Sequence, residues 1–285
     1  METYHSLCMN ARARLMPIGE RAAQTEARYL VMRAAGKTFE ELTRDYRMYA
    51  SDKICGDVAE MLERRLNGEP LAYITGSWEF YGLPLAVTRD VLIPRVDTEV
   101  LAGAAIERAK GAGDGCRVLD LCAGSGCIGL AVAHNVPSAR VTVADDSEAA
   151  LKVAKLNARA LNLTVTPVRA DVFGQPPPAL GSFDIIVCNP PYIATAEIQT
   201  LDMSVRDYEP LRALDGGADG LDFYRAVTRD WSRLLRGQGC VMFEIGAGQA
   251  SAVKKICYRA GLAAFETLID TNGIERVLIT SPAEV

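Results

Sequence analysis

Apolar positions recur along this chain with two different periods. Up to about residue 75 the period is helical. Ala23, Ala27, Leu30, Val31 and Ala34 fall on one stripe. Val58, Met61, Leu62 and Leu66 form another, with Asp57, Glu60, Glu63, Arg64 and Arg65 on the opposite face. Asn67-Gly68-Glu69-Pro70 ends that helix, so residues 1–75 are predicted to form a small helical bundle. Over 76–93 the texture changes: Trp78, Phe80, Tyr81, Val87, Val91 and Ile93 surround Gly82 and Pro84, which predicts a β-hairpin linking two domains. The second domain, 94–285, opens with a helix over Thr98–Lys110 and then alternates. Strands are predicted at 117–121, 140–145, 165–168, 183–188, 240–245, 264–269 and 276–280. Helices are predicted at 128–134, at 148–161, between Phe223 and Leu235, and at 250–260. Such alternation implies an α/β fold, a mostly parallel seven-stranded sheet covered on both faces. Ligands of such sheets bind beyond the carboxyl ends of the strands.

Composition narrows the partners. The formal net charge is −5, against the basic field that tight nucleic-acid binding needs; a basic protein substrate suits it better. No apolar run approaches the ~18 residues that a membrane span requires. The start of the chain carries Glu2, His5, Asn10, Arg12 and Arg14 where a secretory signal would be apolar. Of eight cysteines none forms a C-x-x-C pair, and His5 and His134 are the only imidazoles, so no metal site is expected. Free cysteines in apolar segments fit a reducing cytoplasm.

After the first strand of the α/β part comes a glycine loop, Asp120-Leu121-Cys122-Ala123-Gly124-Ser125-Gly126-Cys127-Ile128-Gly129. Gly124 to Gly129 matches G-x-G-x-x-G, with Asp145 at the end of the next strand, a pattern that also describes dinucleotide sites. Asp120, just before the loop, would repel a pyrophosphate and suits a cationic ligand such as S-adenosyl-L-methionine, through its sulfonium or amino group. Glycines let backbone approach such a ligand closely, and N–H groups at the helix start can meet its carboxylate. Asp145 can accept from a ribose diol; Asp145 or Asp146 could instead cap the following helix, as could Ser147. Asp171 is placed to accept from an adenine amino group, or is a plain loop carboxylate.

The fourth strand runs into Asn189-Pro190-Pro191-Tyr192. An amide or aryl-amine nitrogen is a weak nucleophile because its lone pair is delocalised. Methylating it requires the NH₂ to be held still and its lone pair aimed at the methyl carbon. The Asn189 side-chain oxygen can accept one N–H and the Pro190 carbonyl the other, pre-oriented by the locked proline φ. Pro191 continues the turn, and Tyr192 offers an aromatic face to a planar group. Pro-Pro is also a common loop element, but here it follows a strand in a chain with a glycine loop on strand one.

These segments together resemble the class I methyltransferases with an N-P-P-Y motif, and among them the HemK/PrmC family of release factor glutamine methyltransferases. The resemblance rests on Gly68-Glu69-Pro70, Trp78-Glu79-Phe80-Tyr81, Ile93-Pro94-Arg95-Val96-Asp97-Thr98-Glu99, Asp120–Gly129, Asp145-Asp146-Ser147, Asp171-Val172-Phe173, Asn189–Ile193, Tyr208-Glu209-Pro210, Phe243-Glu244-Ile245-Gly246 with Gln249, and Asp270…Gly273…Arg276. It implies a Rossmann-like methyltransferase domain with S-adenosyl-L-methionine as cofactor. It further implies methylation of the glutamine of the Gly-Gly-Gln tripeptide in class I peptide chain release factors, giving N5-methylglutamine. The first domain would recognise the release factor. Catalysis would fall to Asn189, Pro190 and Tyr192, and cofactor binding to Asp120, Cys122–Gly126, Asp145, Asp171, Val172 and Asn189. Substrate would meet Asn189–Tyr192 and Arg95, with Leu92 beside Arg95 in the wall. Neither metal, membrane nor direct nucleic-acid binding is expected. Cys122-Ala123 stands where the family usually has Gly-Thr, and Val96 where it has proline. The alternatives are an N-P-P-Y enzyme acting on an exocyclic amino group of DNA or RNA, a nicotinamide oxidoreductase read from the glycines alone, and a non-enzymatic adaptor.

Overall fold

Side-chain caps start the first helices. Thr3 accepts the Ser6 N–H and begins α1 (Tyr4–Leu15). After α2 (Glu20–Ala35), which ends on Gly36 at φ 61°, a Thr38/Glu41 capping box begins α3 (Phe39–Arg44). Ser51 accepts the Ile54 N–H to begin α4 (Asp52–Leu66), and α5 (Leu71–Thr75) follows Pro70. The apolar stripes of these helices meet in one core of Leu15, Ala27, Leu30, Val31, Leu42, Val58 and Leu62. The computed structural model describes residues 2–283, which fall into two units. The first holds the residues up to Gly76 and also Met203–Tyr208, a segment that sequence periodicity does not assign to it. Within this unit the Tyr208 hydroxyl donates to the Asn67 carbonyl at 2.8 Å.

The second unit begins at Ser77. β1 (Ser77–Phe80) and β2 (Leu83–Ala86) pair antiparallel around Tyr81-Gly82, both at positive φ (51° and 74°), the geometry of a type I′ turn. The hairpin thus spans less than the predicted 76–93. Then come α6 (Thr98–Ala112), β3 (Arg117–Leu121), α7 (Cys127–Asn135), β4 (Arg140–Asp145), α8 (Glu148–Ala160), β5 (Val165–Arg169) and β6 (Phe183–Cys188). After α9 (Met203–Arg206), which belongs to the first unit, follow α10 (Asp222–Ala226), β7 (Leu235–Glu244), α11 (Ala250–Arg259), β8 (Leu262–Ile269) and β9 (Glu275–Pro282). The seven-stranded sheet has the order β5-β4-β3-β6-β7-β9-β8, parallel except for β9, which is antiparallel to both neighbours.

Strand alternation fills both faces. Val118, Ile185, Val187 and Met242 point into one core with α6 and α7, while Leu119, Leu121, Ile186, Cys188 and Phe243 point into the other with Tyr224 and Trp231. The helix predicted between Phe223 and Leu235 changes pitch. α10 passes into a π turn at Val227–Trp231 and a 3₁₀ turn at Ser232–Leu234, and β7 begins five residues earlier than predicted. The wider π turn accompanies the buried Trp231, whose indole N–H donates to the Val172 carbonyl at 3.0 Å. Among the described residues no helix is long and apolar enough to cross a membrane, and no group of three metal-ligating side chains gathers.

The crossover from β3 to α7 is tightly packed. Asp120 is fully buried, and its Oδ2 accepts the Gly129 N–H at 2.8 Å. A Cβ on Gly129 would stand 2.8 Å from Val143 Cγ1 and 3.0 Å from Asp120 Oδ2. Asp120 Oδ1 has no hydrogen-bond partner among the described residues, and burial pushes the carboxyl pKa up to about 7 against the pull of the Gly129 N–H. Two outcomes follow. Gly129→Ala overpacks the helix start and should lower stability by about 1–3 kcal/mol in thermal or urea unfolding. Folded Asp120 keeps a proton that the unfolded chain has released, so it weakens the fold as pH rises from about 4 to about 7. Asp120→Asn removes that dependence: the gap in Tm between variant and parent should widen over this range and then level, and a constant gap would contradict the assignment.

Candidate active site

A cavity of 810 Å³ lies in the second unit beyond the carboxyl ends of β3, β4 and β6, within the range of about 300–1,000 Å³ usual for small-molecule sites. Its floor is the β3–α7 loop. Ala123 N–H donates to the Ala144 carbonyl at 3.1 Å and Gly126 N–H to the Ala123 carbonyl at 2.7 Å, which folds the loop back on itself. Cys122 and Gly124 take left-handed φ values of 57° and 54°. Gly124 faces the cavity, and nothing lies within 4 Å of where its Cβ would be. Gly126 serves packing instead: its Cβ would meet Ala154 Cβ at 3.1 Å.

Asp145 ties this loop to the next helix. Its Oδ2 accepts the Gly124 N–H at 2.9 Å and its Oδ1 the Ser147 N–H at 2.8 Å. Burial raises its pKa, and the two N–H groups oppose that. Ser147 itself caps α8, so Asp145 is free of that role. Its neighbour Asp146 pairs with Arg212. Asp171 stands in the cavity wall with Oδ1 accepting the Phe173 N–H at 2.9 Å. Beside it Val172 is buried, and Phe173 meets Phe223 edge-on at 4.7 Å between centroids.

Asn189 enters from β6, its Nδ2 donating to Thr98 Oγ1 at 3.2 Å. Oδ1 is therefore the acceptor left to the amide. Pro191 also lines the cavity, whereas Pro190 is buried and outside the wall. Tyr192 turns away as well: its hydroxyl donates to Glu244 Oε1 at 3.4 Å, and burial pushes the phenol pKa up to about 12. Gln249 braces the turn from behind. Its Nε2 donates to the Tyr192 carbonyl at 2.9 Å, while its Oε1 accepts from Gly246 N–H at 3.0 Å and the Tyr224 hydroxyl at 3.3 Å.

Leu92 and Arg95 also line the cavity. Arg95 pairs with Glu209, whose side chain is 1% exposed and whose Oε2 also accepts the Ile93 N–H at 3.3 Å. Burial raises the Glu209 pKa and Arg95 lowers it. The Ile93–Arg95 segment and the loop at Glu209 are thereby joined.

Of the residues singled out from sequence, Cys122–Ser125, Asp145, Asp171, Val172, Asn189, Pro191, Arg95 and Leu92 line one cavity. Four do not. Asp120, expected to face a cationic ligand, is sealed beneath α7, because its side chain shares the strand face of Val118. Gly126 packs against α8, Pro190 is buried, and the Tyr192 ring is drawn inward by Glu244 instead of offering a free face. Three further residues hold the site in place: Thr98 and Glu209, which lie in segments that carry the resemblance but to which no site role was assigned, and Asn157, which lies in none of them. Thr98 holds Asn189, and Glu209 holds Arg95. Asn157 donates to the Ala86 and Ser125 carbonyls, both at 3.0 Å, and so pins the hairpin and the glycine loop to α8. Asn157 lies on the buried helix face, where a polar residue amid Val153, Ala154 and Ala158 was the available signal.

Residues 98–204 match the family model described as "Methyltransferase small domain", and residues 6–76 match "PrmC N-terminal domain". The release factor glutamine methyltransferase of Thermodesulfovibrio yellowstonii is 42% identical over 224 residues, 78% of this chain and 80% of that protein. That of Moorella thermoacetica is 40% identical over 273 residues, covering 93% and 94%. A methyltransferase from Pyrococcus furiosus, 17% identical, shares the fold with a TM-score of 0.51 over 78% of this chain and 98% of its own. This chain belongs to the release factor glutamine methyltransferase family.

Proposed function

We propose that the chain methylates the side-chain amide nitrogen of the glutamine in the Gly-Gly-Gln motif of class I release factors, giving N5-methylglutamine, with S-adenosyl-L-methionine as donor. The observation that carries this reading is Asn189 in the cavity wall, its amide nitrogen engaged by Thr98 and its oxygen left to accept. Relatives covering nearly the whole chain bear the corresponding name.

The cavity suits the donor. Gly124 leaves open the space that a Cβ would fill, so ligand can contact loop backbone directly. Asp145 has lone pairs beyond those used by Gly124 and Ser147, enough to accept from a ribose diol. Asp171 would accept from the adenine amino group, with Val172, Phe173 and Phe223 as the apolar walls about the base. When bound, the cofactor supplies an electrophilic methyl on a sulfonium centre. On the substrate side, Asn189 Oδ1 accepts an amide N–H, which holds the nitrogen in place for attack. Arg95, fixed by Glu209, stands at the substrate wall. No base is required in advance, since the nitrogen becomes acidic only as the new bond forms. The helical first unit would recognise the body of the release factor.

Labelled-methyl transfer tests the reading. Label should enter a release factor and be absent from its Gly-Gly-Gln variant carrying Gln→Ala. Equal labelling of both, or preferential labelling of DNA or RNA, would sink it. Asn189→Ala should lower turnover by about 100-fold or more while the cofactor Kd in calorimetry stays within about threefold.

A further inference from the structure

The Asn189 side chain can sit in its place either way round, and one orientation alone offers the substrate an acceptor. In the observed one Nδ2 donates to Thr98 Oγ1 at 3.2 Å. A hydroxyl both donates and accepts, so Thr98 by itself would tolerate the reversed amide equally well. What decides is where the single Thr98 proton goes. Glu244 lies at the end of β7, 1% exposed, in the same cluster as Asn189, Thr98 and Tyr192, and the Thr98 hydroxyl beside it draws its pKa down. Glu244 Oε1 receives the Tyr192 hydroxyl at 3.4 Å, and Oε2 has no hydrogen-bond partner among the described residues. A buried carboxylate oxygen without a donor is costly, and Thr98 is the hydroxyl at hand.

We propose that Glu244 is the positioning residue of this site: as a carboxylate it takes the Thr98 proton, which compels Thr98 to accept from Asn189 and turns Asn189 Oδ1 towards the substrate amide. This rests on the reading of Asn189 as the acceptor for the substrate N–H. A protonated Glu244 no longer draws the Thr98 proton. Thr98 can then donate to Asn189, the amide reverses, and an NH₂ faces the substrate NH₂. The groups facing Glu244 are Arg276 from β9, Asp97 and Thr98 at the start of α6, Tyr192 after β6, Tyr224 from α10 and Cys127 from α7. Burial raises the Glu244 pKa most; Thr98, Arg276 and Tyr192 oppose it, and Asp97 adds to it. Activity is therefore present above that pKa and lost as pH falls through it, at a higher pH than for an ordinary carboxylate.

The test uses the full chain, a release factor and labelled cofactor. Thr98→Val keeps the shape and removes the hydroxyl; it should lower kcat by about 10- to 100-fold, with cofactor Kd and release-factor KM within about threefold. Thr98→Ser restores the hydroxyl and should recover kcat to within about threefold of the parent. Glu244→Gln should lower kcat and abolish the acid limb of the kcat–pH profile. Thr98→Val at parental kcat, Thr98→Ser as impaired as Thr98→Val, or an acid limb that persists in folded Glu244→Gln would each overturn the proposal. If Glu244→Gln does not fold, the Val/Ser pair decides. If the parent protein labels no release factor, the functional reading fails and this inference goes with it. Parental labelling with unaltered variants defeats the inference alone.

Discussion

The parallel pairing of β3 with β6 is the constraint on which the site depends. Leu121 and Cys188 stand opposite each other, so the glycine loop beginning at Cys122 and the turn beginning at Asn189 leave the sheet side by side. Both strands are buried on both faces, and a slip of one residue would reverse every side chain between the two cores. The register is thus fixed by packing far from the chemistry. The two loops inherit their proximity from it, and the remaining contacts refine their shape. Asn157 and Asp145 hold the first loop, Gln249 and Thr98 the second.

What these contacts hold is a set of uncharged acceptors and small residues. Tyr192 is kept protonated by burial, and Asn189 and the proline carbonyls do not titrate near neutrality. The buried carboxylates, Asp120, Glu209 and Glu244, engage the α7 backbone, Arg95 and the Tyr192 hydroxyl in turn. Asp120 and Glu244 thus engage neutral groups, while Glu209 fixes the Arg95 cation.

The fold was legible in the sequence because its signals are local: strands of about six apolar residues, glycines at strand ends and helical stripes each declare themselves within a short window. The cavity-lining residues from Cys122 to Ser125, and Asn189, followed from their place after strands. What escaped depends on facing. Asp120 was read as ligand-facing because it adjoins the loop, yet strand alternation puts it with Val118 under α7. Tyr192 was read as an open ring, and its hydroxyl is claimed by a glutamate more than fifty residues on. Glu209 and Asn157 act on segments 114 and 71 residues distant, pairings that no window contains. Met203–Tyr208 joins the first unit although it lies deep in the second half of the chain, and short polar helices of this kind carry no period to read.

Cys122 sits at φ 57°, where a side chain costs about 1–2 kcal/mol and glycine costs little. The loop keeps its shape nonetheless, because the Ala123–Ala144 hydrogen bond and the Asp145 bond to Gly124 specify it from outside. Conformational demand at this position has passed from the residue to the scaffold around it. A signature written as a string of glycines therefore describes one solution to a geometric problem. In this chain Cys122 takes the left-handed geometry without a glycine.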